Sequence, residues 1–300
     1  MRMYKTYSTI WQSRKNQKNK TVNFLKMHGL GNNFVILNHI NENKEYNYRD
    51  LSLLMTNPVY GVSADGLVII LKSDIADAKM RIFNTDGSEA QMCGNAIRCV
   101  AKYLYESNHI DKPTMQIETM SGIKNISLQI KEHVVQSISV DMGYASFSPE
   151  DIGLSIPSDF IYQHISIDEG TIFNGTAVSM GNPHLVILTD NVEDYDFTNN
   201  GQKWEHHPLF KYKVNTEFVK LLSKTSIRMR VYERGVGETM ACGTGACASV
   251  AALTKTGHLP IDTPITVKLN GGELTILCKQ DYKIIMTGPA TYICKGQFIM

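Results

Sequence analysis

No stretch of this 300-residue chain approaches the roughly 18 consecutive apolar residues of a membrane-spanning helix, which argues against a helical membrane protein. Charge of either sign is also lacking: 30 lysines and arginines stand against 29 acidic residues, a net of +1. Such a balance generates no field that would gather nucleic acid or a membrane surface. Cysteine is sparse, with six in the whole chain, too few for a disulfide framework. There is no apolar core of a secretory signal, so the expected setting is a reducing cytoplasm holding free thiols. No C-x-x-C or close Cys/His pair is present, and no metal is expected. Acidic residues are missing from the first twenty positions, where Arg2, Lys5, Arg14, Lys15, Lys18 and Lys20 stand among Ser and Thr. Residues 1–21 therefore read as a disordered basic extension, with organelle targeting as the competing reading.

What the chain does have is a segment written twice. KMRIFNTDGSEAQMCGNAIRCVA begins at Lys79 and RMRVYERGVGETMACGTGACASV at Arg228. Each passes from a β-type run through a glycine-bearing loop to a Cys-Gly pair, Cys93-Gly94 and Cys242-Gly243, and then to a helix of small residues. A cysteine at a helix start has its thiolate favoured by unpaired N–H groups and the positive end of the dipole. Three further landmarks repeat in the same order: GNNFVIL at Gly31 with GNPHLVIL at Gly181, TMSGIKNISLQI at Thr119 with KLNGGELTILC at Lys268, and DMGYA at Asp141 with MTGPA at Met286. The repeat is too long for a solenoid and predicts two homologous domains, 22–145 and 146–290, with a tail, 291–300, packing back on the first. A hydrophobic content of 43% suffices for two cores.

Most of each half reads as strands: FVILN, LVIIL, KMRIF, TMQIET and VVQSISVDM in the first, TAVSM, HLVILT, TEFVKLL, IRMRVY, ITVKL and ELTILC in the second. The helix after Cys242 is small and apolar on nearly every face, so it must be buried on nearly every face. The fold class expected is α+β, each domain a curled sheet around a central helix, with pseudo-two-fold symmetry and the two helix starts facing a shared site.

Backbone N–H groups at Gly94-Asn95 and Gly243-Thr244-Gly245 suit a carboxylate, and they would stabilise the charge appearing on it when the adjacent carbon loses a proton. One cysteine as thiolate could remove that proton while the other, as thiol, donates from the opposite face, inverting the carbon without a cofactor. Cys99, Cys247, Cys278 and Cys294 read as buried small hydrophobes. A Cys93–Cys242 disulfide would be an oxidised off-state. Asn32 and Asn182 occupy matched places after glycine, and Glu233-Arg234 replaces Asn84-Thr85. An acid and a base added on one side only suggest a substrate whose far end is itself a zwitterion, with Arg234 holding a carboxylate and Glu233 an ammonium.

The motifs MHGLGNNF, FNTDGSEAQMCGNAIRC, MGNPH, VNTEF, YERGVGET and ACGTGACA together resemble the diaminopimelate epimerase family, from about Phe24 to the C-terminus. The resemblance implies a pyridoxal-independent, two-cysteine epimerase interconverting LL- and meso-2,6-diaminopimelate, toward lysine and peptidoglycan. It makes Cys93 and Cys242 the acid/base pair, with Gly94, Asn95, Gly243 and Thr244 at the reacting carboxylate. Asn32, Asn84, Asn182, Asn215, Glu233 and Arg234 become the remaining substrate contacts, with His184 and, in a second role, Glu233 as supporting catalytic residues. Asn33 stands where the family usually has Asp, and Ser63 where it usually has glycine, before Asp65 and Gly66. A proline- or histidine-type racemase on the same fold and a non-catalytic amino-acid-binding protein are the rival readings. Exposed strand edges point to a homodimer.

Overall fold

The computed structural model describes residues 21–42, 46–168 and 170–300. Of the extension expected over 1–21, only Thr21 falls within them, as the first residue of a strand. The chain divides into two compact units, residues up to Ile138 with Pro289–Met300, and Ser139–Gly288.

In the first unit β1 (Thr21–Gly29) turns back into β2 (Asn32–Asn38) through Leu30 and Gly31, both at positive φ, 57° and 86°. Positive φ at both central residues matches a primed hairpin turn, and glycine adopts it without strain. β2 runs parallel to β3 (Gly66–Leu71), β3 antiparallel to β4 (Ala78–Asn84), which also carries the short β5 (Glu89–Ala90). β4 is parallel to β6 (Thr114–Thr119), and β6 antiparallel to β7 (Gly122–Lys131). β8 (Val134–Tyr144) leads out of the unit.

The second unit has β9 (Gln163–Ile165), β10 (Phe173–Ser179), β11 (Pro183–Leu188), β12 (Asn215–Ser223), β13 (Ser226–Glu233), β14 (Gly237–Glu238), β15 (Pro264–Leu269), β16 (Gly272–Cys278) and β17 (Lys283–Gly288). Its ladders repeat the first unit's grammar: β10–β11 antiparallel, β11–β12 parallel, β12–β13 antiparallel, β13–β15 parallel, β15–β16 antiparallel. β18 (Thr291–Ile299) belongs to the first unit, where it pairs antiparallel with β1 from Thr21↔Ile299 to His28↔Thr291.

Each unit encloses one long helix, Gly94–Glu106 or Gly243–Lys255, both of 13 residues. The first packs on β1, β2, β4 and β7; the second on β10, β11, β12, β13, β16 and β17. Gly245 to Leu253 are all buried, as the small-residue composition requires. The α+β class follows directly, with sheet dominant. Two further helices, Tyr48–Met55 and Phe197–Glu205, are not among the elements expected from the sequence. Both begin at a side-chain N-cap, Asn47 accepting from the Asp50 N–H and Asp196 from that of Asn199. The second is held by an aromatic core in which Trp204, Phe197 and Phe218 are almost fully buried and Tyr195 stacks on Phe218 at 3.8 Å between centroids. No helix among the described residues is long and apolar enough to cross a membrane.

Candidate active site: two cysteine helix caps

Cys93 and Cys242 are each the N-cap residue of their helix, with extended backbone (φ −141° and −114°). The sequence pattern of strand, glycine loop and helix is what puts them there: β4 or β13 ends, a tight turn follows, and the cysteine is the last residue before helical geometry begins. Each therefore precedes N–H groups that the helix leaves without an internal acceptor.

In the first unit the Cys93 thiol donates to Asn32 Oδ1 at 3.9 Å, and Asn95 Nδ2 donates to the same oxygen at 3.1 Å. Asn32 is oriented from behind, because its Nδ2 donates to Asp65 Oδ2 at 3.1 Å. Asn95 Oδ1 accepts from Arg98, whose guanidinium is fully buried and also binds the carbonyls of Gly94 and Pro289. Gly29 makes room for it: a Cβ there would lie 2.8 Å from Arg98 Nη2. Asn84 is exposed and spans its turn, Nδ2 donating to Ser88 Oγ at 3.0 Å.

The second unit surrounds Cys242 differently. Gly245 N–H donates to Cys242 Sγ at 3.3 Å, and Thr244 Oγ1 lies 3.5 Å from the sulfur. The Glu233 carboxylate accepts from the Thr239 hydroxyl and lies near enough for its charge to act on the thiol. His184 and Glu217 are both fully buried, with Nδ1 and Oε1 2.7 Å apart, and His184 Nε2 meets Asn182 Oδ1 at 3.1 Å. Asn182 Nδ2 points on to Thr244 Oγ1 at 3.5 Å. Asn215 is spent on backbone, binding the Pro183 carbonyl and accepting from the Arg234 N–H, both at 2.9 Å. Arg234 is exposed and its Nη1 donates to the Tyr212 carbonyl at 3.2 Å.

These surroundings correct one expectation. A helix start by itself favours a thiolate, yet burial pushes the Cys242 thiol well above its ordinary range, with the charges of Glu233 and Glu217 adding to the effect. The Thr244 and Gly245 hydrogen bonds oppose this and are outweighed. Glu233 is itself raised, chiefly by burial and further by the Glu217 charge. Glu233 thus acts on Cys242 through its charge. A second correction concerns Cys294, which is exposed on β18; Cys99, Cys247 and Cys278 are buried. Cys99 and Cys278 are pushed up to about 12 and about 11 by burial, as inert structural thiols should be.

The residues that reasoning from sequence passed over are Glu217, Arg98 and Thr239. Arg98 carried a signal, since a guanidinium in a helix of small apolar residues stands where the second copy has Cys247.

Residues 24–148 and 176–293 match the family model described as diaminopimelate epimerase. A diaminopimelate epimerase of Methanococcus maripaludis is 45% identical over 276 residues, 91% of this chain and 98% of that protein. One from Desulfitobacterium hafniense is 43% identical over 275 residues, 91% and 96% of the two chains. Among solved structures, a PhzF-family phenazine biosynthesis protein of Bacillus anthracis covers 94% of this chain and 100% of its own with a TM-score of 0.68 at 16% identity, a likeness of fold.

Proposed function

Because the chain belongs to the diaminopimelate epimerase family, we infer that it interconverts LL- and meso-2,6-diaminopimelate by proton exchange at one α-carbon, without a cofactor. The observation that carries this reading is the pair of cysteine N-caps, Cys93 and Cys242, each on the same strand, turn and helix of its own unit. The α-carboxylate binds the N–H groups of Gly94, Asn95, Gly243 and Thr244, where the extra charge of the deprotonated carbon is also received. Cys242, its thiol pushed up by burial and two carboxylates, carries the proton when substrate arrives. Cys93 then acts as the thiolate base. As the α-proton passes to Cys93, Cys242 delivers its own to the opposite face, and the C–H bond broken is replaced by one of inverted configuration. His184 and Glu233 set the charge around Cys242, and the exposed guanidinium of Arg234 takes the distal carboxylate. Asn32, Asn182 and Asn84 supply amide contacts, while Asn215 acts through the backbone it holds.

Two free thiols call for a reducing compartment, which supports a cytoplasmic location. The exposed Tyr292, Ile293 and Ile299 along β18 support a homodimer, a state that sedimentation velocity reads directly.

The decisive experiment is incubation of reduced protein with diaminopimelate in D₂O: deuterium at one α-carbon is expected, and no exchange would sink the reading. Cys93→Ala and Cys242→Ala are each expected to abolish epimerisation. A variant of either kind that still epimerises at the native rate rules out the two-thiol assignment. Arg234→Ala should raise KM for diaminopimelate, and an unchanged KM removes Arg234 from the distal end.

A further inference from the structure

Glu217 is a carboxylate buried at a cost: its side chain has no solvent exposure, one oxygen is 2.7 Å from His184 Nδ1, and the other, Oε2, is buried with no hydrogen-bond partner among the described residues. A carboxylate kept in such a place without a role would be a poor use of stability. Its neighbourhood is built around it. β11 and β12 run parallel with His184 opposite Asn215 and Val186 opposite Glu217. The corresponding ladder of the first unit, with Phe34 opposite Gly66 and Ile36 opposite Val68, holds Phe34 and Val68 where the second holds His184 and Glu217. Both are buried and apolar. The same ladder can therefore be dry and uncharged, and the ionisable pair is an addition confined to the Cys242 half. Gly245 completes the cavity, since a Cβ there would come within 2.6 Å of Glu217 Oε1.

The hydrogen bonds leading away from Glu217 have a direction. An ionised carboxylate only accepts, so His184 Nδ1 donates to it. Nε2 faces Asn182 Oδ1, which also only accepts, so that contact at 3.1 Å is a hydrogen bond only when Nε2 too bears a hydrogen. With Oδ1 so used, Asn182 turns its Nδ2 toward Thr244 Oγ1, and the Thr244 hydroxyl, already an acceptor, has its hydrogen left for Cys242 Sγ at 3.5 Å. The chain Glu217, His184, Asn182, Thr244, Cys242 ends with a donor aimed at the sulfur.

We propose that Glu217 is a positioning residue for proton exchange at Cys242, fixing His184 in its doubly protonated form and thereby aiming the Thr244 hydroxyl at the sulfur. This rests on Cys242 exchanging a proton with substrate. When it does, a thiolate is left in a buried site facing the charges of Glu233 from β13 and Glu217 from β12, with His184 of β11 bonded to Glu217. The Gly245 N–H and the Thr244 hydroxyl are the donors that receive it. Glu217 works at a distance of three residues, by setting the polarity of the chain.

Glu217→Gln tests this because the expected sign differs from that of a bare charge effect. If Glu217 acted only as a nearby anion, its neutralisation would ease ionisation of Cys242. If it sets the chain, the glutamine leaves His184 singly protonated, Asn182 and Thr244 lose their fixed direction, and ionisation becomes harder. The first readout is the pH profile of Cys242 alkylation by iodoacetamide, followed by peptide mapping, with an upward shift of about one pH unit expected. A downward shift or none overturns the proposal. The second is ¹⁵N NMR of the His184 ring at pH 7.5, with both nitrogens protonated in the native protein and one in Glu217→Gln. A neutral ring in the native protein overturns it equally. Thr244→Val, which removes the final donor and leaves the buried pair intact, should reproduce the alkylation shift; an unchanged profile in this variant also counts against the proposal. None of these readouts needs turnover, so their failure is distinct from failure of the D₂O exchange.

Discussion

Asp65 and Asn32 are joined by a 3.1 Å hydrogen bond from Asn32 Nδ2 to Asp65 Oδ2, the same oxygen that accepts from the Asn33 N–H at 2.7 Å and Asn33 Nδ2 at 2.8 Å. One carboxylate oxygen at the start of β3 thus fixes two consecutive side chains at the start of β2. Since an amide has one oxygen and one nitrogen, committing Nδ2 to Asp65 turns Asn32 Oδ1 toward Asn95 and Cys93. Asp65→Ala should let that amide rotate and lower kcat/KM by about 10²-fold, the scale expected when a positioned group is misplaced by an ångström. Steady-state epimerisation assays, with Asn32→Ala as the comparison, provide the check.

The six cysteines should separate by reactivity in native protein at pH 8. Cys294 is exposed, whereas Cys242 is buried with its thiol pushed well above the usual range. Each unit of upward displacement reduces the thiolate fraction tenfold, so iodoacetamide should label Cys294 at least about ten times faster than Cys242. Cys99 and Cys278 should remain unlabelled until the protein unfolds. Time-resolved peptide mapping distinguishes the sites, and early labelling of Cys242 would show that its surroundings do not hold the proton.

Glu233→Gln should separate stability from activity. The carboxyl of Glu233 is raised in the folded protein, by burial first and by the Glu217 charge next. A raised carboxyl means that ionisation costs more in the folded state than in the unfolded chain. That cost is absent below the unfolded value, near pH 4, and complete once pH exceeds the folded value. The glutamine is therefore expected to raise the melting temperature at pH 8, by on the order of 2 °C, with the difference vanishing toward pH 4. Turnover should fall by at least about 10²-fold because the carboxylate beside Cys242 is gone. A melting temperature lowered at pH 8 would show that the Thr239 bond outweighs the burial cost.

Gly201→Ala should destabilise the second unit. A Cβ at this position would lie 2.1 Å from ring atoms of Tyr232, which packs against the Phe197 and Phe218 cluster. Alanine ordinarily favours a helix, but here the ring must move, at a cost of about 1–3 kcal/mol for overpacking. Urea denaturation with an unchanged m-value is the measurement; a stabilised variant would mean that the ring relocates freely.

The strand and helix pattern could be read from sequence wherever one face or every face of an element is apolar. LVIIL, IRMRVY and the alanine-rich run after Gly243 all became the elements expected of them. The helix Phe197–Glu205 could not be read so, because FTNNGQKWE carries few apolar residues and is fixed by an aspartate cap and by Trp204 entering a core formed much further along the chain. At the site, Cys93 and Cys242 were legible because a helix start is a local property. Glu217 was not: within TEFVKLL it looks like the polar member of an alternating strand, and its partner His184 is brought to it only by the parallel ladder of β11 and β12. The raised Cys242 thiol was hidden for the same reason, since Glu217 and Glu233 reach it from two different strands.

The Cβ that Gly245 lacks has a consequence for anyone engineering this protein. Replacing a helical glycine with alanine is a routine route to extra stability, worth about 0.5–1 kcal/mol where space allows. Gly245 is helical and buried, and its φ is not in the left-handed region, so by propensity alone it would head such a programme. Alanine there would drive Glu217 Oε1 off His184, and a mutational scan should find this position intolerant for a reason visible neither in its backbone angles nor in its own neighbours along the chain.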